Sequence, residues 1–251
     1  MVSYLYFFFY RRTSEYVTHI HRIKFYIDGR LLDDRWTKPF DGTDKTELLK
    51  IYAAIGRELN TDEWMFGKNT VRAVFPEKFG DGNTPLSESY SVFVGDRHSA
   101  RMFIVFDPDG DIRFTSSTLR GDNILVILGR NVTEEYLMFL REMRISYVVV
   151  NDAIDLMSGL EAAIREFGIH SVSVQGGGIL NGALLNKGLI DELSLVVYPG
   201  IDGLAGVPSI FEYIGNETNC PAKGQSLQLL SVEQWGHGVI WLRYEFHINK
   251  K

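Results

Sequence analysis

Between residues 102 and 198 the chain alternates short apolar runs with stretches of helical period. MFIVF (102–106), ILVIL (124–128) and SYVVV (146–150) are apolar at every position, as expected of central strands in a sheet covered on both faces. Thr133 precedes a helix as its N-cap, with Glu134 and Glu135 in the first turn and Tyr136, Leu137, Leu140 and Met143 on the buried side. A second helix is predicted over 155–167, carried by Leu156, Leu160, Ala163, Ile164 and Phe167 and closed by Gly168. Residues 170–203 then read as strand, glycine turn, helix and strand. Val172 and Val174 alternate with Ser171, Ser173 and Gln175, and Gly176, Gly177 and Gly178 follow. Leu180, Ala183, Leu184 and Leu185 keep helical spacing up to Gly188, the expected C-terminal cap. Leu193, Leu195 and Val197 begin a further strand that Pro199 ends.

The flanking regions complete the pattern. A β-prone run over 23–27 meets the turn signal Asp28-Gly29. A helix starting near Thr43 or Asp44 places Leu48, Ile51, Tyr52, Ile55 and Leu59 on one face. EWMFG (63–67) is a short strand that breaks at Gly67-Lys68-Asn69-Thr70, and residues 76–99 read as a long surface loop. Two closing strands, SLQLLSVEQW and GVIWLRYEFHI, have no helix between them and predict an antiparallel hairpin at the sheet edge. The expectation is an α/β fold: a mixed, mainly parallel sheet with helices on both faces and a C-terminal antiparallel hairpin. Residues 23–251 are expected to form one domain, preceded by an N-terminal extension or edge strand over 1–22. The aromatic run at 4–10 is followed, not preceded, by Arg11 and Arg12 and is too short to span a bilayer, so neither a secretory signal nor a membrane segment is expected.

Charge narrows the chemistry. A net charge of −6 argues against a nucleic-acid surface and requires any phosphorylated ligand to find a local pocket. One cysteine, Cys220, rules out an intrachain disulfide and agrees with a cytoplasmic protein. The six histidines show no spacing that converges on a metal, so no metal is expected. The triple glycine feeding a helix N-terminus either cradles a phosphate with bare N–H groups or serves only as a tight turn.

Taken together, these stretches resemble the dihydrofolate reductase superfold, and within it the reductase domain of riboflavin biosynthesis, the RibD C-terminal type. The resemblance rests on Gly67-Lys68-Asn69-Thr70 after a strand, on Gly176-Gly177-Gly178 before a helix, on Gly188-Leu189-Ile190-Asp191-Glu192-Leu193, and on Ile27-Asp28-Gly29-Arg30. The sequence departs from the family at Tyr26, where a serine is usual, at Gln175, where a glutamate is usual, and at Arg22, where a pathway lysine would fall, with Lys24 nearby. No deaminase motif is present.

The resemblance implies an NADPH-dependent reductase similar to 5-amino-6-(5-phosphoribosylamino)uracil reductase, transferring hydride to a ribose C=O or C=N carbon. A reductase of another pterin-like heterocycle and a non-catalytic nucleotide-binding descendant are the alternatives. Gly67, Lys68, Asn69, Thr70, Gly176, Gly177, Gly178, Ile179 and Leu180 are expected at the cofactor, and Arg130 at the phosphate that distinguishes NADP. Lys68 and Arg130 also read as ordinary surface charges. On the substrate side stand Asp28, Gly29, Gln175 and Trp36. Asp28 orients substrate or assists proton transfer, or else simply forms its turn, and Gln175 hydrogen-bonds but cannot act as an acid. Trp36 reads equally as core. The family further implies a small-molecule substrate and a homodimer.

Overall fold

The computed structural model describes residues 18–31, 35, 37–59, 61, 63–74, 78–79, 91–99, 101–150 and 156–249. In chain order the elements are β1 (Thr18–Tyr26), α1 (Lys45–Glu58), β2 (Glu63–Gly67), α2 (Lys68–Val74), β3 (Lys78–Phe79), β4 (Ser91–Phe93), β5 (Met102–Phe106), β6 (Ile112–Arg113), β7 (Thr118–Leu119) and β8 (Asp122–Gly129). They continue with α3 (Glu134–Glu142), β9 (Ser146–Val150), α4 (Leu156–Phe167), β10 (Ser171–Val174), α5 (Gly178–Lys187), β11 (Glu192–Tyr198), β12 (Gln225–Trp235) and β13 (Val239–Ile248).

One sheet runs in the order β12-β13-β11-β1-β10-β2-β5-β8-β9-β4. From β11 across to β9 every pairing is parallel, while β13, β12 and β4 join antiparallel. This is the mixed, mainly parallel sheet with a C-terminal hairpin that the sequence pattern predicts. The surface loop expected over 76–99 differs in part. Ser91–Phe93 pairs with β9 as the far edge strand, and Lys78–Phe79 pairs with β6. Strands of two and three residues are too short to express a period, and only tertiary pairing reveals them.

The alternation of side chains sorts the core onto two faces. On one face Met65, Ile104, Ile127, Val172 and Val174 pack with Leu160 and Phe167 of α4 and Leu180 and Leu184 of α5 in a single cluster. On the other face the core is split. Phe66, Phe103, Val105 and Leu128 lie beneath Val71 of α2 and Tyr136, Leu137 and Leu140 of α3. Farther along, Val196, Tyr198 and Trp241 lie beneath Leu48 and Ile55 of α1. Between the two clusters lie β1 and β10, and β10 offers this face Ser173 instead of an apolar side chain.

Helix α1 is held firmly beside that gap. Asp44 caps it by accepting the Glu47 N–H, and the buried Tyr198 hydroxyl donates to Leu48 O at 2.7 Å. Just before it, Asp41 and Thr43 both bond His237 Nδ1 in the turn of the β12–β13 hairpin, at 2.8 and 2.7 Å. The hydrogen bonds from Thr43 and then His237 hold the Asp41 carboxyl down to about 2, against an ordinary 3.8. A depressed carboxylate stabilises the fold above its unfolded pKa and loses that contribution as pH falls. Asp41→Asn should therefore lower the thermal midpoint at pH 5, and the difference from wild type should close between pH 4 and 2, followed by circular dichroism.

On α5 a strap, residues 207–213, crosses the first two turns. Its residues bond the segment after β1 (Leu31 N to Pro208 O, Ile210 N to Gly29 O) and the helix start (Glu212 N to Gly178 O). Gly178 and Gly182 allow this crossing. A Cβ on Gly182 would lie 2.7 Å from Tyr213 N and closer still to the Glu212 carbonyl, neither of which is a flexible side-chain end. Alanine gains about 1 kcal/mol of helix propensity over glycine, but overpacking costs about 1–3 kcal/mol. Gly182→Ala should therefore be net destabilising, by roughly 1–2 kcal/mol in a denaturant titration, the upper part of the overpacking range being expected against a backbone that cannot yield.

Candidate active site

The C-terminal ends of β2 and β10 lie side by side, and both glycine turns leave from them. The parallel register sets Met65 opposite Val174, and Gln175 N–H extends it by donating to Met65 O at 2.8 Å. Gly67 N–H then donates to Gly176 O at 3.2 Å, joining one turn to the other. Gly176 has φ 89° and Gly177 φ 41°, values that L side chains rarely adopt. A Cβ on Gly177 would come 3.0 Å from Thr70 Oγ1, so Thr70 of α2 faces the glycine turn across a gap smaller than one side chain.

Above this junction α5 begins without a side-chain cap, because its N-cap is Gly177. Asn181 N–H is the first to close an intrahelical bond, to Gly177 O. The N–H groups of Gly178, Ile179 and Leu180 thus stand at the positive end of the helix with no intrahelical acceptor.

The structure brings together part of the predicted set. Gly67, Thr70, Gly176 and Gly177 converge. Leu180 is buried and packs on Gly67, where a Cβ would come 3.3 Å from Leu180 Cβ, so only its backbone faces the junction. Ile179 is exposed on the first turn. Gly178 lacks a side chain for a different reason from its neighbours: the strap's Ser209 carbonyl and Glu212 occupy that space. Asn69 is exposed on α2.

Lys68 is engaged elsewhere. Its ammonium is bound by Asp109 and by Asp111, the latter at 2.8 Å, and Arg72 also reaches Asp111 at 3.0 Å. Burial alone would lower the Lys68 pKa; hydrogen bonds and attraction from the two carboxylates outweigh it and raise the value. Arg130 is exposed just past the end of β8, two strands beyond β2.

Of the residues expected on the substrate side, Asp28 closes a turn. Its Oδ2 accepts Gly203 N–H at 2.7 Å and Asp202 N–H at 3.1 Å. Slight burial pulls its pKa up, but the bonds from Gly203, Asp202 and other backbone N–H groups outweigh this and lower it. Asp28 is therefore an ionised carboxylate at neutral pH that ties the end of β1 to residues 202–203. Gly29, at φ 77°, supplies the carbonyl that receives the strap. Arg22 and Lys24 stand opposite Ser194 and Val196 in the register of β1 with β11, and Tyr26 opposite Tyr198. Trp36 lies outside the described residues.

Gln175 sits at the top of β10 over the gap between the two apolar clusters. Tyr52 of α1 donates its hydroxyl to Gln175 Oε1 at 2.8 Å, and Gln175 Nε2 donates to Ser173 Oγ at 2.6 Å. Neither Tyr52 nor Ser173 is a predicted site residue. Tyr52 falls within the apolar stripe of its helix, and its only sequence signal is a hydroxyl among aliphatic neighbours. Asn181 is also unpredicted. Fully buried, it donates to Ile210 O at 2.7 Å and so fastens the strap to α5. Among the described residues no group of three or more His, Cys, Asp and Glu side chains is placed to hold a metal, and no helix is long and apolar enough to cross a membrane.

The arrangement is a donor-rich cradle of glycine backbone, faced by Thr70, beside the polar Ser173 and Gln175 of the β10 end. Solved structures with the same fold include a pyrimidine reductase-like protein from Corynebacterium diphtheriae, with 17% identity, 92% of each chain covered and a TM-score of 0.61. The riboflavin biosynthesis reductase Rib7 of Saccharomyces cerevisiae matches at 17% identity over 94% of this chain and 92% of that one, with a TM-score of 0.53. RibD of Acinetobacter baumannii matches at 17% identity and a TM-score of 0.57; 93% of this chain is covered but only 59% of that one. A search of curated proteins found no significant match. Residues 27–241 match the RibD C-terminal domain, and with most of its length so matched the chain belongs to that family.

Proposed function

We propose that this chain is an NADPH-dependent reductase of the riboflavin-pathway type, acting on a phosphoribosylamino-pyrimidine. The observation that carries this reading is the hydrogen-bonded junction of the two glycine turns, with Thr70 facing Gly177 beneath the uncapped start of α5. These residues fit a dinucleotide. Backbone at positive φ without Cβ allows a pyrophosphate close approach, and the free N–H groups of the first helical turn match its charge. Gly67, Thr70, Gly176, Gly177 and the backbone of residues 178–180 would hold the phosphates, Arg130 the additional phosphate of NADPH. The bound cofactor supplies the hydride.

The protein's own part is to bind and orient. Besides Arg130, attraction for the anionic ligand comes from backbone N–H groups at a helix end; Lys68 is engaged by two carboxylates and the net charge of −6 is unfavourable. Gln175, directly before the glycine turn, hydrogen-bonds the substrate beside the cofactor. Asp28 acts from the far side as an ionised, backbone-held carboxylate that orients substrate.

Because Gly177 has φ 41°, any side chain there strains the backbone as well as filling the gap, so Thr70 gives the cleaner test. Thr70→Val replaces the hydroxyl with a methyl group of similar size. A hydrogen bond to a charged group contributes about 1.5–3 kcal/mol, so NADPH affinity measured by fluorescence should fall at least about tenfold with the thermal midpoint nearly unchanged. Unchanged affinity would place the cofactor elsewhere. NADPH oxidation with 5-amino-6-(5-phosphoribosylamino)uracil, followed by absorbance, tests the reaction itself; binding without turnover on it or on dihydrofolate would indicate a nucleotide-binding descendant.

The same reading includes a homodimer. β12 is an eleven-residue edge strand, and Leu227, Leu229, Leu230 and Val232 on it are 45–59% exposed, with Ile240 and Ile248 exposed on β13 beside them. A long apolar edge of this kind needs cover. Val232→Lys should convert the dimer to monomer by light scattering at about 10 μM, a concentration at which even a Kd of about 1 μM leaves wild type paired. A monomeric wild type at that concentration would count against the assembly.

A further inference from the structure

We propose that Tyr52 is a positioning residue of this site, whose hydroxyl holds the Gln175 carboxamide in the orientation used for substrate. The proposal rests on the reductase reading above. Tyr52 lies one helical turn from both Leu48 and Ile55, which are fully buried against the sheet, yet it is only half-buried itself. Its hydroxyl leaves the α1 cluster and reaches across to β10, where it meets Gln175 Oε1 at 2.8 Å. Helix α1 thereby contributes one polar atom to the gap between the two apolar clusters.

Both ends of this contact are anchored. The Asp44 cap, the Tyr198 bond to Leu48 O and the buried leucine and isoleucine fix α1. The backbone of Gln175 is fixed by its N–H bond to Met65 O and by the left-handed Gly176 that follows. The glutamine side chain has three rotatable bonds and would otherwise sample several rotamers. Two hydrogen bonds hold its amide from opposite ends, Tyr52 at the carbonyl and Ser173 at the nitrogen. Hydride transfer needs reacting atoms held close to their productive geometry, so a loose contact next to the glycine turn is felt in rate more than in cofactor binding. A glutamate at 175, the usual residue of the resembling reductases, would still accept from Tyr52 but could not donate to Ser173 when ionised.

Tyr52→Phe keeps the ring and removes only the hydroxyl. In the NADPH assay with 5-amino-6-(5-phosphoribosylamino)uracil, kcat/KM should fall about tenfold, the size of one lost hydrogen bond. NADPH affinity and thermal midpoint should stay at wild-type values. Gln175→Met, which keeps the length of the side chain without its polar atoms, should abolish the effect, so that Tyr52→Phe costs nothing further in that background. In a Gln175→Glu background the acceptor survives and the loss should reappear. An equal loss in the Gln175→Met background, a parallel fall in NADPH affinity, or unchanged kcat/KM would each overturn the role of Tyr52 while leaving the reductase reading intact. Wild-type protein that fails to oxidise NADPH with this substrate would overturn that reading and the proposal with it.

Discussion

The register of β10 against β2 is the constraint on which the site depends. Side chains alternate along a strand, so a slip of one residue would exchange its two faces. In the observed register Val172 and Val174 enter the apolar cluster under α4 and α5, while Ser173 faces the gap on the other side. A slip would turn that serine into an apolar core and put valines on the site floor. The apolar partners Met65, Val172 and Val174 therefore enforce the polar arrangement opposite them. The same register brings the last residues of both strands level, so that Gly67 and Gly176 can share a hydrogen bond and the two turns open at one point.

Glycine answers three different demands within this small region. Gly176 and Gly177 adopt positive φ, Gly67 makes room for Leu180, and Gly178 and Gly182 let the strap run across α5. The strap in turn bonds residues 29–31 after β1, so the turn at Asp28-Gly29 and the start of α5 share one backbone connection. Asn181 reinforces it from the helix side. The position of the α5 N-terminus is thus determined by packing on the sheet beneath and by the strap alongside.

Charged side chains near the site mostly join loops to one another. Asp28 is occupied by backbone N–H groups of 202 and 203, and Lys68 by the carboxylates that follow β5. Tyr52, Ser173 and Gln175, which meet between the two apolar clusters, are neutral, while the register of β1 places Arg22 and Lys24 on the same sheet face as Ser194 and Val196. The backbone dipoles at the start of α5 are likewise fixed, and their field does not change sign or strength across the neutral pH range.

Much of this was determined by sequence. Apolar runs at 102–106, 124–128 and 146–150, helical spacing around Leu137 and Leu160, the caps Thr133 and Gly188, and the unbroken pair of C-terminal strands identify the elements, because period and capping are local properties. The glycine turns were also legible, since few residues other than glycine tolerate such backbone. Tertiary structure alone decided which strands became neighbours and what each candidate side chain touches. It set β10 beside β2, about a hundred residues apart in the chain. It drew Lys68 to Asp109 and Asp111, assigned Gly178 to the strap, and turned Tyr52 from one more member of an apolar stripe into the partner of Gln175. Such pairings are absent from local patterns because they depend on long-range register, and a hydroxyl in an apolar stripe takes its meaning from whatever the fold places opposite it.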